Sequence, residues 1–232
     1  MASLDNLALL GSHNSCARLG GPLVQTQTLS IKKQLAKGVR VLDLRLNHSR
    51  DELLLFHGPV DQRKNFRQVL QVVCRFLVEN PNEFVLVRIK KEGVPLLPHR
   101  FPFDEQVLGD LTVECGARFF ECTTVPTVSQ AQGRIIVLQN FEGVSVGIPW
   151  TDCCVQDDFW VLSCTVSPLR AKLNAAIAHA KKAAESTDKT LFVNFLSATG
   201  GCTPFQMSRF IKPAFFKKFK ILPVGITMCD FV

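Results

Sequence analysis

Two histidines and an arginine stand where this chain could move protons around a charged group. His13 follows an apolar run and a glycine in Gly11-Ser12-His13-Asn14-Ser15, and His57 closes a second apolar run just before Gly58. Imidazole titrates near neutrality, so one histidine can accept a proton while the other donates one. Val39-Arg40-Val41-Leu42-Asp43-Leu44-Arg45 lies between them. Strand side chains alternate between faces, which puts Asp43 and Arg45 on one face with Val41. A guanidinium has directional donors that suit phosphoryl oxygens, and an anion site would justify holding both charges at the end of a buried strand. The bland alternative is an internal ion pair between Asp43 and Arg45 that closes one end of the fold. Asp230 is a further carboxylate at the end of an apolar run. Cleaving a phosphodiester with a neighbouring hydroxyl calls for such a set: a base for the attacking hydroxyl, an acid for the leaving oxygen and a cation for the phosphoryl charge.

The elements that must position these groups alternate along the chain. Apolar runs rich in Val, Ile, Leu and Phe predict strands at 7–10, 39–46, 52–56, 84–89, 134–138, 191–195 and 222–227. Runs of this kind suit strands buried on both faces. Helices are predicted at 30–37, 66–79, 104–111, 167–186 and 203–219. In the second, Phe66, Val69, Leu70, Val73, Phe76 and Leu77 recur at helical spacing before Asn80-Pro81-Asn82 ends it. The alternation predicts an α/β fold with a parallel sheet, and a closed or nearly closed (β/α) barrel fits the length. Function then belongs where strands end and the following loops begin. The pattern is weakest over 114–132 and 143–164, where an irregular strand or a long functional loop is expected.

Composition bounds the remaining choices. The 232 residues are 47% hydrophobic, enough for one sizeable core, so a single domain over 1–232 is expected, without repeats or low-complexity tracts. No window approaches the roughly 20 apolar residues of a spanning helix, and the N-terminus lacks the pattern of a secretory leader. The nine cysteines are odd in number and show no zinc spacing; the adjacent Cys153 and Cys154 suit neither redox chemistry nor an easy bridge. Reduced thiols in a cytoplasmic protein are therefore expected, with Cys74 and Cys229 as core residues. Lys and Arg number 27 against 20 Asp and Glu, a net charge of +7 that favours anionic partners. Lys217, Lys218 and Lys220 read as the solvated end of a helix. No nucleic-acid partner is expected, because neither a stacking platform nor a recognised module accompanies the charge.

With these segments assembled, the sequence resembles the X domain of phosphatidylinositol-specific phospholipases C, nearer the small bacterial-type enzymes and stand-alone X-domain proteins than the large calcium-dependent ones. The resemblance rests on Gly11 to Ser15, Gln34-Leu35, Gly38 to Arg45, Phe56-His57-Gly58 and the stretch from Phe76 to Glu92. It continues through Gln156-Asp157, Asn194 to Gly200 and Gly225 to Phe231, nearly the whole chain. It implies a distorted, incompletely closed (β/α) TIM-type barrel. It also implies cleavage of phosphatidylinositol to diacylglycerol and inositol 1,2-cyclic phosphate. By resemblance His13 is the general base, Asp230 orients it, His57 is the general acid, Arg45 binds the phosphoryl group and Asp43 positions these groups. Lys90 and Asp157 match positions that hold inositol hydroxyls.

No cofactor is expected. Arg45 stands where calcium-dependent relatives place a carboxylate, so the cation is built into the chain even though Asn14 matches the metal-binding members. Bacterial-type members carry Asp at Asn14, where it assists the acid histidine, and a Tyr at Phe159, where it stacks on inositol. By the same resemblance Asn140 stands for a ligand-contacting Arg. Two other readings stay open: a catalytically weak or inactive phosphoinositide-binding domain, and a metal-dependent phosphodiesterase on a related barrel. The expected partner is a phosphatidylinositol-type phospholipid in an anionic membrane surface, met transiently by a monomer. The expected docking rim is 19–23, Phe101-Pro102-Phe103 and Trp160.

Overall fold

A computed structural model describes residues 2–94, 97–219 and 222–232. Its strands are β1 (Ala8–Ser12), β2 (Val39–Ser49), β3 (Glu52–His57), β4 (Val60–Asn65), β5 (Val85–Lys91), β6 (Ile135–Asn140), β7 (Ile148–Pro149), β8 (Cys154–Gln156), β9 (Trp160–Val161), β10 (Phe192–Phe195), β11 (Thr199–Gly200) and β12 (Gly225–Cys229). The α-helices are α1 (Ile31–Ala36), α2 (Phe66–Glu79), α3 (Phe103–Cys115), α4 (Val128–Ala131), α5 (Val166–Glu185) and α6 (Pro204–Lys218). Eight strands form a curled parallel sheet in the order β7-β6-β5-β2-β1-β12-β10-β8, with β3 and β4 added antiparallel beyond β2. No pairing joins β7 to β8 among the described residues, so the ring is an incompletely closed α/β barrel.

The alternation of side chains divides the core. Leu42, Leu44 and Leu46 of β2 and Val85, Val87 and Ile89 of β5 pack outward with Phe66, Val69, Leu70, Val73 and Leu77 of α2. Leu9, Val41, Leu86, Ile136, Leu138, Val193, Phe195, Ile226 and Met228 fill the inside of the barrel. Val41, Leu86 and Ile136 lie side by side in register; above them come Asp43, Arg88 and Leu138, then Arg45, Lys90 and Asn140. The barrel is thus apolar at its base and charged at its mouth. Gly11 is small for a reason: a Cβ there would collide with the Met228 sulfur across the β1–β12 ladder.

Side-chain caps mark four helix starts, Ser30 on α1 and the Thr127–Gln130 box on α4 among them. Asn65 and Gln68 form a reciprocal capping box on α2, and Thr203 and Gln206 form another on α6, with Pro204 at the first turn. The five expected helices all form. β4 was not anticipated, because of its six residues only Gln62 is buried and no apolar alternation shows. The last strand is Gly225–Cys229 instead of 222–227, since Pro223 has no N–H for a ladder and Gly225, at φ 93°, takes the chain into it. The weak interval 143–164 holds the short strands β7, β8 and β9.

Three expectations are corrected or limited. Cys164 and Cys202 form a disulfide with Cα atoms 5.3 Å apart, 38 residues distant in the chain. Pairing of β9 with β11 brings the two loops together, which spacing along the chain could not reveal. The argument from reduced thiols to a cytoplasmic location loses its support, because disulfides persist in oxidising surroundings. Phe103 is buried as the first residue of α3, packed 5.2 Å from Phe141, and so leaves the proposed rim. Lys217 and Lys218 end α6 as expected, whereas Lys220 lies outside the described residues. Cys229 is buried and Cys74 packs against the core from a partly buried position.

Candidate active site

Five of the groups at the mouth continue inward-facing rows, and His57 reaches it from the end of the antiparallel β3. Gly11 leads to His13, Asp43 to Arg45, Arg88 to Lys90, Val155 to Asp157 and Met228 to Asp230, two residues apart in every case. His13, Arg45, His57, Lys90, Glu92, Asp157, Phe159 and Asp230 line one pocket of about 440 Å³. Asp43 lies beneath it, 1% exposed, and Asn14 is buried beside it. Asn140 faces a neighbouring groove.

The β1 end is tied to β2. Ser15 N–H donates to the Asp43 carbonyl at 2.8 Å, and Asp43 N–H donates to Ser15 Oγ at 2.8 Å. Asn14 takes the left-handed conformation this turn needs, at φ 41°, and its N–H donates to Asp43 Oδ2 at 3.0 Å. Gln27, fully buried, donates its amide to the carbonyls of His13 and Cys229 at 2.9 and 3.0 Å, clamping β1 to β12.

These restraints leave His13 in a defined tautomer. Its Nδ1 is 2.8 Å from Asp230 Oδ1, and Arg45 Nη2 lies 3.1 Å from its Nε2. Guanidinium can only donate, so Nε2 is an acceptor and the proton sits on Nδ1 toward the carboxylate. Burial pushes the Asp230 carboxyl up, with His13 and Lys212 opposing. His57 is 6.3 Å from His13 between ring centroids, nearly perpendicular. Its Nδ1 donates to the Val24 carbonyl at 2.7 Å, leaving Nε2 for the pocket. Burial first, then His13 and Arg45, lowers its pKa to about 4. No hydrogen bond reaches the Asn14 side-chain amide among the described residues.

Asp43 balances two guanidinium groups. Burial alone would raise its carboxyl, but Arg88 at 3.2 Å and Arg45 at 3.8 Å hold it well below the usual range. Arg88 is buried, also donates to Asn140 Oδ1 at 2.7 Å, and lies 4.0 Å over the Trp150 ring. Glu92 accepts from Gly58 N–H at 2.9 Å and approaches Arg45 Nη1 at 3.7 Å, which fixes the turn after His57. Burial and Arg45 lower the Lys90 ammonium. Arg88 was legible in principle: the alternation that singles out Asp43 and Arg45 also puts Arg88 and Lys90 on one face. Gln27 carried no such signal. Among the described residues no group of three or more His, Cys, Asp or Glu could hold a metal ion.

The fold is an α/β barrel, and two histidines and an arginine share one pocket at its mouth. A family model for the X domain of phosphatidylinositol-specific phospholipase C matches residues 8–141, and the chain belongs to that family. The 1-phosphatidylinositol phosphodiesterase of Listeria monocytogenes is 26% identical over 219 residues, covering 85% of this chain and 65% of that protein. This chain therefore spans slightly less than two thirds of that relative. The solved phosphatidylinositol-specific phospholipase C from Listeria monocytogenes superposes with a TM-score of 0.82 at 25% identity, over 99% of this chain and 90% of the other. A Staphylococcus aureus phosphatidylinositol-specific phospholipase C shares the fold with a TM-score of 0.87 at 21% identity, over 100% and 88%.

Proposed function

We propose that this chain cleaves phosphatidylinositol to diacylglycerol and inositol 1,2-cyclic phosphate, acting over 1–232 as one catalytic unit. The carrying observation is the bond from Arg45 Nη2 to His13 Nε2, which puts a phosphate-binding cation on the lone pair of the base. When a phosphodiester arrives, Arg45 turns to its phosphoryl oxygens and Nε2 is freed. Nε2 then takes the proton of the inositol 2-hydroxyl, whose oxygen attacks phosphorus as the bond to the glycerol oxygen breaks. Asp230 stabilises the resulting imidazolium through Nδ1. His57 delivers a proton from Nε2 to the departing oxygen. Lys90 and Asp157 hold ring hydroxyls, and Phe159 offers a ring face at 58% exposure. Arg45 supplies the charge that a metal would otherwise carry, so the reaction needs no calcium.

Docking on the bilayer is peripheral, since no helix of the described residues is long and apolar enough to cross one. Leu23, Phe159 and Pro204 line the pocket, and Leu23, Trp160 and Phe205 are exposed by 73%, 64% and 48%. These groups form the proposed rim, Leu19 and Phe101 are exposed as well, and the net charge of +7 draws the rim to anionic lipid.

Phosphatidylinositol vesicles in chelator test the reading, with inositol 1,2-cyclic phosphate as the expected product. His13→Ala and His57→Ala should each lower turnover by about 10²–10⁴ or more with the fold intact. Near-wild-type turnover in either variant would sink the mechanism. Binding of phosphatidylinositol without any product would favour the inactive binding domain.

A further inference from the structure

The loop that carries Asp157 and Phe159 leaves β8 at Gln156, and a buried charge stands behind that point. Lys172 of α5 is 3% exposed, and its Nζ donates to Gln156 Oε1 at 3.1 Å. The same oxygen accepts the Asp158 N–H at 2.8 Å. The Gln156 amide donates to Asn194 Oδ1 at 2.7 Å and to the Phe195 carbonyl at 3.2 Å, and Asn194 donates onward to the Ala176 carbonyl at 2.8 Å. Every polar atom of the Gln156 side chain is thereby used, and the only charged group in the chain of bonds is the lysine. A packing role alone would be filled as well by an apolar side chain, and burying an ammonium costs stability unless the charge is used.

We propose that Lys172 is a positioning residue for the headgroup edge of the pocket: through Gln156 it pins the Asp158 backbone and so sets where Asp157 and Phe159 meet the inositol ring. The assignment rests on the reading of the site given above. Asp157 and Asp158 from the loop after β8, and Asp230 just after β12, are the carboxylates that act on its ammonium. Burial outweighs them and lowers its pKa to about 8. The positioning charge therefore weakens as pH rises through that value. Lys172 lies outside the pocket lined by the histidines, so its influence is exerted through the loop.

Lys172→Met and Lys172→Gln in the full chain test this against a merely structural role. With phosphatidylinositol, KM should rise about 10- to 100-fold while kcat falls less than about threefold, a displacement of the binding edge and not of the proton-transfer groups. Lys172→Arg should restore part of the KM. The rise of KM with pH through about 8 in the wild type should vanish in Lys172→Met. Hydrogen exchange supplies a readout independent of turnover: the Asp158 amide should exchange about tenfold or more faster in Lys172→Met. Unchanged exchange, or a fall in kcat with KM untouched, would overturn the assignment while leaving the catalytic reading in place. A wild-type protein that fails to cleave phosphatidylinositol at all would overturn the catalytic reading and the assignment with it, whatever the exchange shows.

Discussion

His57 presents the sharpest question at the scale of single residues. A general acid must carry a proton, yet in the free protein burial, His13 and Arg45 hold its pKa at about 4, so near neutral pH it is uncharged. A bound phosphodiester adds a negative charge and neutralises Arg45, and both changes favour the protonated ring. The His57 pKa should thus move upward from about 4 when inorganic phosphate or a phosphonate analogue fills the pocket, as followed by the pH titration of its ring proton signals. A pKa that stays put would mean that the leaving oxygen takes its proton from elsewhere. Arg45→Lys should cost at least about 10²-fold in turnover, because an ammonium lacks the planar fork that bridges His13 and two phosphoryl oxygens. Asn14→Asp, which the family pattern would favour, places a second carboxylate beside Asp43 in a buried turn. Without a cation of its own it should destabilise the fold by about 3–5 kcal/mol in a denaturant titration, and leave the His57 titration unchanged.

At the scale of elements, the parts that were legible are those where burial imposes a period. α2 runs from Phe66 to Glu79 as its helical spacing implies, and β2 turns Val41, Asp43 and Arg45 to one face as strand alternation requires. β4 was silent because it borders solvent, Gln27 was silent because its buried amide serves backbone groups distant in the chain, and for the same reason the resemblance at Gln156 gave no sign of that residue's buried bonds. The tie between Cys164 and Cys202 was illegible for a related reason, since it depends on the two-residue ladder of β9 with β11. That ladder is close-packed: a Cβ on Gly201 would strike the Leu162 and Ser163 backbone. Gly201→Ala should therefore displace the segment bearing Phe159 and Trp160 and reduce cleavage more than it reduces the melting temperature. Replacing Cys164 and Cys202 by Ser should lower stability by about 2–4 kcal/mol, read from urea unfolding, and the wild type in reductant should match the double variant. If reductant left the wild-type midpoint unmoved, the bond would have no part in holding these loops.

For the molecule as a whole, charge and apolar rim act together on a surface. Co-sedimentation with vesicles should increase with anionic lipid content and weaken between low and high salt, because exposed charges are screened within about 10 Å at 0.1 M salt. Trp160→Ala should reduce cleavage of vesicles more than cleavage of a soluble monomeric substrate; equal loss on both would place Trp160 inside the site and not on the rim. The unpaired edges of β7 and β8 have a mechanical consequence of their own. A barrel whose every strand is laddered to the next has its girth fixed by hydrogen bonds, whereas here, among the described residues, seven ladders join eight strands and leave one seam without a ladder. Side-chain contacts of Trp150, with Arg88 at 4.0 Å and with Phe195 at 6.3 Å between ring centroids, span the approach to that seam, and no strand pairing need break for it to widen. Asp157 follows one lip and Trp150 the other, so what spans this side of the mouth is a set of aromatic side-chain contacts in place of a strand ladder.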